Sequence, residues 1–288
     1  MAELPELPEL SDLSLVDSRP GDTHHDGARS LLLTVLGEYV LPAGQPVWTS
    51  ALVDALALLG VEEKAARQAL TRDAAAGWLV SERVGRRVRW SLTPAARRLL
   101  NAGCARIASF GHNGGRWDGT WLVLLISVPE ARREVRRTLR TRLAWAGFGS
   151  PEPGLWVCPN TAREADTRRI LVELDLTADA RSFIARHGAI GAPESMAARA
   201  WNLAELDERY VRFVATFAAV TPADPTAVWT ALTRLVHDWR RFPFADPDLP
   251  AALLPTNWTG TTAAALFHRR HAEWVQGAQA RWTTLAAG

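Results

Sequence analysis

Apolar residues in the first third of this chain recur at helical spacing in three stretches and then switch to strict alternation. Residues 29–40 (RSLLLTVLGEYV), 50–60 (SALVDALALLG) and 62–77 (EEKAARQALTRDAAAG) predict three helices. Thr49 or Ser50 is placed to cap the second, and Gly77 suits a left-handed stop at the end of the third. From Leu79 the pattern is that of a hairpin. Val88, Trp90 and Leu92 alternate with Arg87, Arg89 and Ser91, and Gly85-Arg86 falls at the turn. Three helices followed by a basic two-stranded wing is the order of a winged helix-turn-helix domain.

Within the third helix, Lys64, Arg67, Gln68 and Thr71 share one face, while Ala66, Ala69 and Leu70 share the other. A recognition helix needs this division: donors toward base edges and phosphates, small residues toward the helix beneath. Asp73 interrupts the apolar side. Seven arginines stand against one acid between Ser81 and Arg106, a density that repels itself unless a polyanion is near. Arg67, Gln68 and Arg72 are the candidates for base edges. Arg83, Arg86, Arg87 and Arg89 are candidates for phosphate or the minor groove, and Thr49 and Ser50 join the DNA-contact set at the start of the second helix. The competing readings are an amphipathic helix with a solvated face and a winged helix used for protein contacts.

A second pattern begins near Arg116. WDGTWLVLLISV predicts a buried strand, PEARREVRRTLRTRLAWAGF a helix, GLWVCPN a strand after a Pro/Gly turn, and TAREADTRRILVEL a helix. With a short apolar segment around Arg181 to Ile190, these make a ferredoxin-like split βαβ unit. Its arginine face (Arg132, Arg133, Arg136, Arg137, Arg140) reads first as a solvated surface. From about Ser195 the chain is helical again, with a proline-punctuated connection, PFADPDLPAALLP, before a last helix. The expected fold class is α+β multidomain: an acidic disordered tail at 1–28, a winged helix-turn-helix at 29–110, a ferredoxin-like domain at 116–192 and a helical domain at 195–288.

Composition narrows the class. At 288 residues and 48% hydrophobic the chain suits a globular protein of several domains. Its longest apolar run, WLVLLISV, is too short to span a bilayer, and the N-terminus has no hydrophobic signal region, so nothing exports or anchors it. Cys104 and Cys158 are isolated thiols without metal-type spacing, which fits a reducing cytoplasm. The net charge of +2 conceals an asymmetry: the first 28 residues carry seven acids and one arginine, leaving the remainder near +8.

Taken together, RSLLLTVLGEYV, VWTSALVDALALLGV, GWLVSERVGRRVRWSLT, WDGTWLVLLISVPE, GFGSPEPGLWVCPN and especially LVHDWRRFPFADPDLPAALLPTNWTG resemble the PaaX-type repressors of phenylacetic acid catabolism. The resemblance covers the whole chain after the tail. It implies a homodimeric transcription factor with an N-terminal winged helix, a central domain similar to the Cas2 fold and a C-terminal helical domain. It also implies release from operator DNA by an aryl-acyl-CoA such as phenylacetyl-CoA, with no resident cofactor and no enzymatic activity. Asp73 and Ala74 depart from the bulky apolar residues of the family's pattern, which leaves the packing of the recognition helix and the operator sequence open. An activator, or a regulator answering a different acyl-CoA, would use the same DNA-binding physics.

The Cas2 likeness raises a metal-dependent nuclease as a rival. Such an enzyme needs carboxylates at the end of the first strand. That position holds Ser127 and Val128; Asp118 lies at the other end, and Glu130 suits a helix start. A CoA thioester needs arginines beside an apolar pocket. His237, Trp239, Arg240 and Arg241 fit the first requirement, and Trp201, Tyr210, Phe213, Phe217 and Trp258 are candidates to line the second. The plainer reading makes His237 and the aromatics core, with Arg240 paired to Asp246 or Asp248.

Overall fold

The computed structural model describes residues 27–111 and 117–288, so the expectations for the acidic tail before Gly27 and for a boundary at Arg116 lie outside the described residues. The chain divides into two compact units. Among the described residues, one comprises 27–109 with Thr216–Arg241 and Ala265–Gly288; the other comprises 110–111 and 117–215 with Phe242–Ala264.

In the first unit, α1 (Ala28–Val35) runs into one turn of π-helix at Leu36–Val40. It is followed by a two-residue strand β1 (Val47–Trp48), α2 (Thr49–Leu58), α3 (Glu63–Ala75), β2 (Leu79–Val84), β3 (Arg87–Leu92) and α4 (Pro94–Ser109). The three helices and the wing stand in the predicted order. The wing has a third strand, giving the order β1-β3-β2 with antiparallel neighbours. The predicted cap of α2 is replaced: extended Trp48 precedes Thr49 without a capping side chain, because the Thr49 hydroxyl is engaged by the wing. Helix α4, unforeseen in the sequence, starts where Thr93 Oγ1 accepts from Ala96 N and proline occupies the first helical position.

Residues 30–35 of α1 are all buried, the polar Ser30 and Thr34 being hydrogen-bonded, as befits a helix enclosed by others. α2 and α3 pack on it from the winged-helix side, and α9 (Pro225–Trp239) packs on it from the C-terminal part of the chain. Tyr39, in the π turn, is stacked between Trp229 of α9 and Trp282, each 5.5 Å away, and its hydroxyl meets Thr233 Oγ1 at 2.9 Å. Of the C-terminal region expected as a helical domain over 195–288, Thr216–Arg241 and Ala265–Gly288 pack with the winged-helix elements.

The second unit holds β4 (Thr120–Ile126), α5 (Arg133–Trp145), β5 (Gly149–Glu152), β6 (Leu155–Cys158), α6 (Glu164–Glu173) and β7 (Ala180–Arg186). The sheet order β5-β6-β4-β7, antiparallel throughout, is that of a ferredoxin-like split βαβ unit. Strand β5 occupies what the sequence reads as a turn.

One sheet face carries Leu122, Leu124 and Ile126 against Leu139, Leu143, Phe148 and Leu171. The other carries Trp121 and Val157 against Ala197 of α7 (Pro193–Ala200), Leu203, Leu249 and Leu253. Coverage on both faces explains why β4 is apolar without alternation. Gly149 is required by the close approach of α7: a Cβ there would lie 2.5 Å from the Trp201 ring and 2.8 Å from Ala200 Cβ. Helices α8 (Leu203–Phe217) and α11 (Gly260–Ala287) carry the chain across the division between the units, and α10 (Phe242–Ala245) lies in the second. No helix among the described residues is long and apolar enough to cross a membrane.

Candidate nucleic-acid interface

Helix α3 ends in a Schellman motif. Trp78 N donates to Asp73 O at 2.8 Å and Gly77 N to Ala74 O at 3.1 Å, with Gly77 at φ +74°. This closure turns the chain at once into the wing, so the helix and hairpin are held as one piece. Lys64, Arg67, Gln68, Thr71 and Arg72 are all exposed, while Ala66, Ala69, Leu70 and Asp73 are buried. The division into a cationic outer face and a small apolar inner face is therefore present as predicted. Asp73 enters the core because α1 supplies its counterion: Arg29 Nε donates to Oδ1 at 2.6 Å. Burial pushes the Asp73 carboxyl up, and the Arg29 hydrogen bond and charge pull it back only in part.

The root of the wing is tied down by Thr49. Its hydroxyl donates to Val88 O at 3.0 Å and accepts from Trp90 Nε1 at 2.8 Å. Thr49 is thus spent on holding α2 to β3, while Ser50 beside it is exposed. Among the wing arginines, engagement differs. Arg89 makes two 2.9 Å bonds to the Glu82 carboxylate across the ladder. Arg87 lies 4.2 Å over the Trp48 ring and donates to the main-chain oxygen of Gly288 at 2.7 Å. Arg83 donates to Gly85 O at the turn.

Arg86 is exposed at the tip beside Gly85, whose φ of +62° makes the tight turn. On α3, Arg67 pairs with Glu63 at 2.8 Å with both side chains more than half exposed, an attachment of about 0.3–0.5 kcal/mol that a phosphate displaces readily. The surface has no catalytic constellation; its chemistry is that of donors and positive charge on a rigid frame. The partners Thr49–Trp90 and Trp48–Arg87 escape sequence reasoning, since both depend on strand β1, two residues long.

The residues proposed for an acyl-CoA divide between the units. His237, Trp239, Arg240 and Arg241 belong to the first, with His237, Trp239 and Arg240 buried. Arg241 Nη2 donates to His237 Nε2 at 2.9 Å, so the ring proton sits on Nδ1 and is donated to Thr34 Oγ1, also at 2.9 Å. Thr34 in turn donates to Ser30 O, and Arg240 Nη2 donates to Ser30 O and Oγ at 3.1 and 2.6 Å. This polar chain binds the end of α9 to α1.

Trp201, Tyr210 and Trp258 belong to the second unit, Trp201 and Trp258 half-buried and Tyr210 buried. Tyr210 stacks on Phe242 at 4.1 Å, meets Trp258 edge-on at 5.5 Å and donates to Asp246 Oδ2 at 2.6 Å. Phe213 meets Phe242 edge-on in the same cluster, whereas Phe217 lies in the first unit. Asp246 is itself raised to about 6, first by burial and against the pull of the Tyr210 hydrogen bond.

The carboxylates weighed for metal chemistry are occupied otherwise. Asp118 Oδ1 accepts from the amide and hydroxyl of Thr120, and Glu130 pairs with Arg136 and Arg133. Among the described residues no three His, Cys, Asp or Glu side chains converge on a metal-sized site.

Three family models match in succession: PaaX-like protein over residues 27–96, PaaX protein central Cas2-like domain over 114–197, and PaaX-like protein C-terminal domain over 201–284. The chain is similar to the transcriptional repressor PaaX of Escherichia coli (strain K12), 30% identical over 248 residues that cover 82% of this chain and 77% of that one. Among solved structures it is similar to the uncharacterized protein Rv0674 from Mycobacterium tuberculosis. The TM-score is 0.59 at 28% identity, covering 88% of this chain and 97% of that one. An ordered match along the described chain, joined to a winged helix and a ferredoxin-like sheet where that order puts them, places this protein in the PaaX family.

Proposed function

We propose that this protein is a DNA-binding transcriptional repressor of a phenylacetate catabolic operon, released from its operator by an aryl-acyl-CoA such as phenylacetyl-CoA. The observation that carries the DNA-binding part is the exposed face Lys64, Arg67, Gln68, Thr71 and Arg72, held by the Gly77 closure beside the arginine-bearing wing. That face offers bidentate donors to base edges, and the wing offers charge to phosphate. The repressor name of the Escherichia coli relative supports the regulatory direction. The working form is a cytoplasmic homodimer that reads a palindromic site, one α3 to each half.

Ligand acts by preferring a different arrangement of the C-terminal segments, which shifts the population away from the DNA-binding form. The route within the first unit is the chain Arg241–His237–Thr34–Ser30, since α1 that receives it also carries Arg29, the partner of Asp73 on α3. In the first unit Arg241 keeps partly exposed surface; in the second, taken by itself, Trp201 and Trp258 do. His237, Trp239, Arg240 and Tyr210 are buried and would act by shape and transmission.

The test is binding of the purified protein to its own upstream duplex at fixed salt, titrated in parallel with phenylacetyl-CoA, phenylacetate and CoA. Release by the thioester alone supports the reading. Binding that none of the three disturbs removes the effector assignment, and absence of binding at low salt removes the DNA-binding one.

A further inference from the structure

The two helices that cover one face of the ferredoxin-like sheet differ in charge. α6 and the residue before it are balanced, with Arg163, Arg168 and Arg169 against Glu164, Asp166 and Glu173. Over 130–142, α5 and the turn that leads into it carry six arginines against Glu130 and Glu134. Two of the six are engaged within the unit. Arg132 donates to Leu174 O and Asp175 O at the end of α6, and Arg142 donates to the Glu173 carboxylate.

The other four form a stripe. Arg133, Arg136, Arg137 and Arg140 recur at i, i+3, i+4 and i+7 on the exposed side of α5, opposite Val135, Leu139 and Leu143, which pack into the core. Their local partners hold them weakly. Glu130 lies 2.8 Å from Arg136 and 3.6 Å from Arg133, and Glu134 lies 3.3 Å from Arg137. Both glutamate side chains are at least three-quarters exposed, and ion pairs so open to solvent exchange readily for another anion. Arg140 is exposed and makes no ion pair among the described residues.

The dimensions and composition of the stripe select its partner. Seven residues of helix rise about 10 Å, over which one strand of a duplex presents about three phosphates. The exposed neighbours of the four arginines are Glu134, Thr141 and Ala144, so the face has neither the large apolar anchors of a protein interface nor the aromatic rings on which single-stranded bases stack. What it offers is closely spaced positive charge without sequence preference, which suits the backbone of double-stranded DNA.

We infer that the α5 stripe is a second duplex contact, in which Arg133, Arg136, Arg137 and Arg140 engage backbone phosphates while α3 and the wing engage the operator. The inference rests on the DNA-binding proposal and extends it to the second unit. Part of the affinity is then independent of sequence and survives when α3 is disabled.

The full chain carrying Arg137→Gln with Arg140→Gln tests it. Arg168→Gln with Arg169→Gln is the comparison, since it removes the same charge from the balanced helix. Binding to a long upstream duplex, and to a scrambled duplex of equal length, is read by fluorescence anisotropy across a salt series. The α5 pair is expected to lose about tenfold or more on both duplexes at low salt and to flatten the salt slope by up to about 1.8, two phosphate contacts at about 0.9 each. The α6 pair is expected to stay within about twofold of the parent, because exposed charges beyond a Debye length of the phosphates are screened. An α5 pair with the parent's affinity and slope, or an α6 pair that loses as much, overturns the inference and leaves the repressor reading intact. An Arg67→Ala chain that keeps its full preference for the upstream duplex, while the α5 pair flattens the slope, does the reverse. A parent that binds neither duplex at low salt overturns both.

Discussion

Arg29 Nε stands 2.6 Å from Asp73 Oδ1, joining the central helix α1 to the buried side of the helix whose outer side is cationic. The Asp73 side chain is fully buried, and its Oδ2 has no hydrogen-bond partner among the described residues. The carboxylate therefore relies on one guanidinium. Arg29→Met is expected to destabilise the first unit by about 2–4 kcal/mol, somewhat below the figure for a fully buried pair because Arg29 keeps a third of its surface. Arg29→Met with Asp73→Leu should recover most of that loss, since an apolar pair costs no desolvation. Thermal or urea unfolding of the two variants checks both.

The Glu82 carboxylate holds Arg89 by two bonds of 2.9 Å. Freeing Arg89 should therefore strengthen DNA binding. Glu82→Gln is expected to raise affinity for any duplex and to steepen the dependence of log K on log salt by up to about 0.9, the increment for one added phosphate contact. Arg89→Ala should weaken binding less than Arg86→Ala does, because Arg89 must first give up Glu82. Fluorescence anisotropy across a salt series reads each slope.

Buried Asp246 keeps its proton to about pH 6 against the ordinary 3.8, so the native state binds a proton that the unfolded chain has already lost. Stability from this group therefore falls as pH rises from about 4 to about 6, by an amount on the order of 3 kcal/mol. Asp246→Asn should flatten that stretch of the stability profile while keeping a polar partner for the Tyr210 hydroxyl, 2.6 Å away. Denaturant melts at pH 4, 5, 6 and 7 decide this; an unchanged slope would mean that another group supplies it.

Much of this was readable in the sequence, and the misses share a cause. The amphipathic split of α3, the Gly77 stop and the alternation of Val88, Trp90 and Leu92 are local patterns, and each stands where it was expected. The ferredoxin-like order was likewise legible from β4 through β7, although β5 was hidden because Gly149 and Pro151 read as turn residues. Asp73 looked like a flaw in the apolar face. Its justification is Arg29, 44 residues away, which no periodicity can show. His237 stands in the core as the plainer reading has it, but its partner Thr34, 203 residues away, is non-local in the same way. Helix α4 was the avoidable miss, for Thr93-Pro94 is a cap followed by an N1 proline.

The His237–Thr34 bond carries the polar chain from α9 to α1. Thr34→Val, which keeps the shape and removes the hydroxyl, should leave the Nδ1 proton unsatisfied at a cost of about 1–3 kcal/mol. If the chain transmits the ligand signal, the variant also answers phenylacetyl-CoA with a smaller change in DNA affinity than the parent. A parallel anisotropy titration compares the two.

The central claim is that the α3 face reads base edges while the wing supplies charge. Its most direct test is the binding constant of the intact protein for its upstream duplex and for a scrambled duplex of equal length, with Arg67→Ala and Arg86→Ala beside the parent. Arg67→Ala should lose about 1–3 kcal/mol on the upstream duplex and little of that on the scrambled one. Arg86→Ala should lose equally on both, with a salt slope shallower by about 0.9. A parent that binds both duplexes alike, or an Arg67→Ala protein that keeps the full preference, would contradict the assignment of α3 as the reading helix.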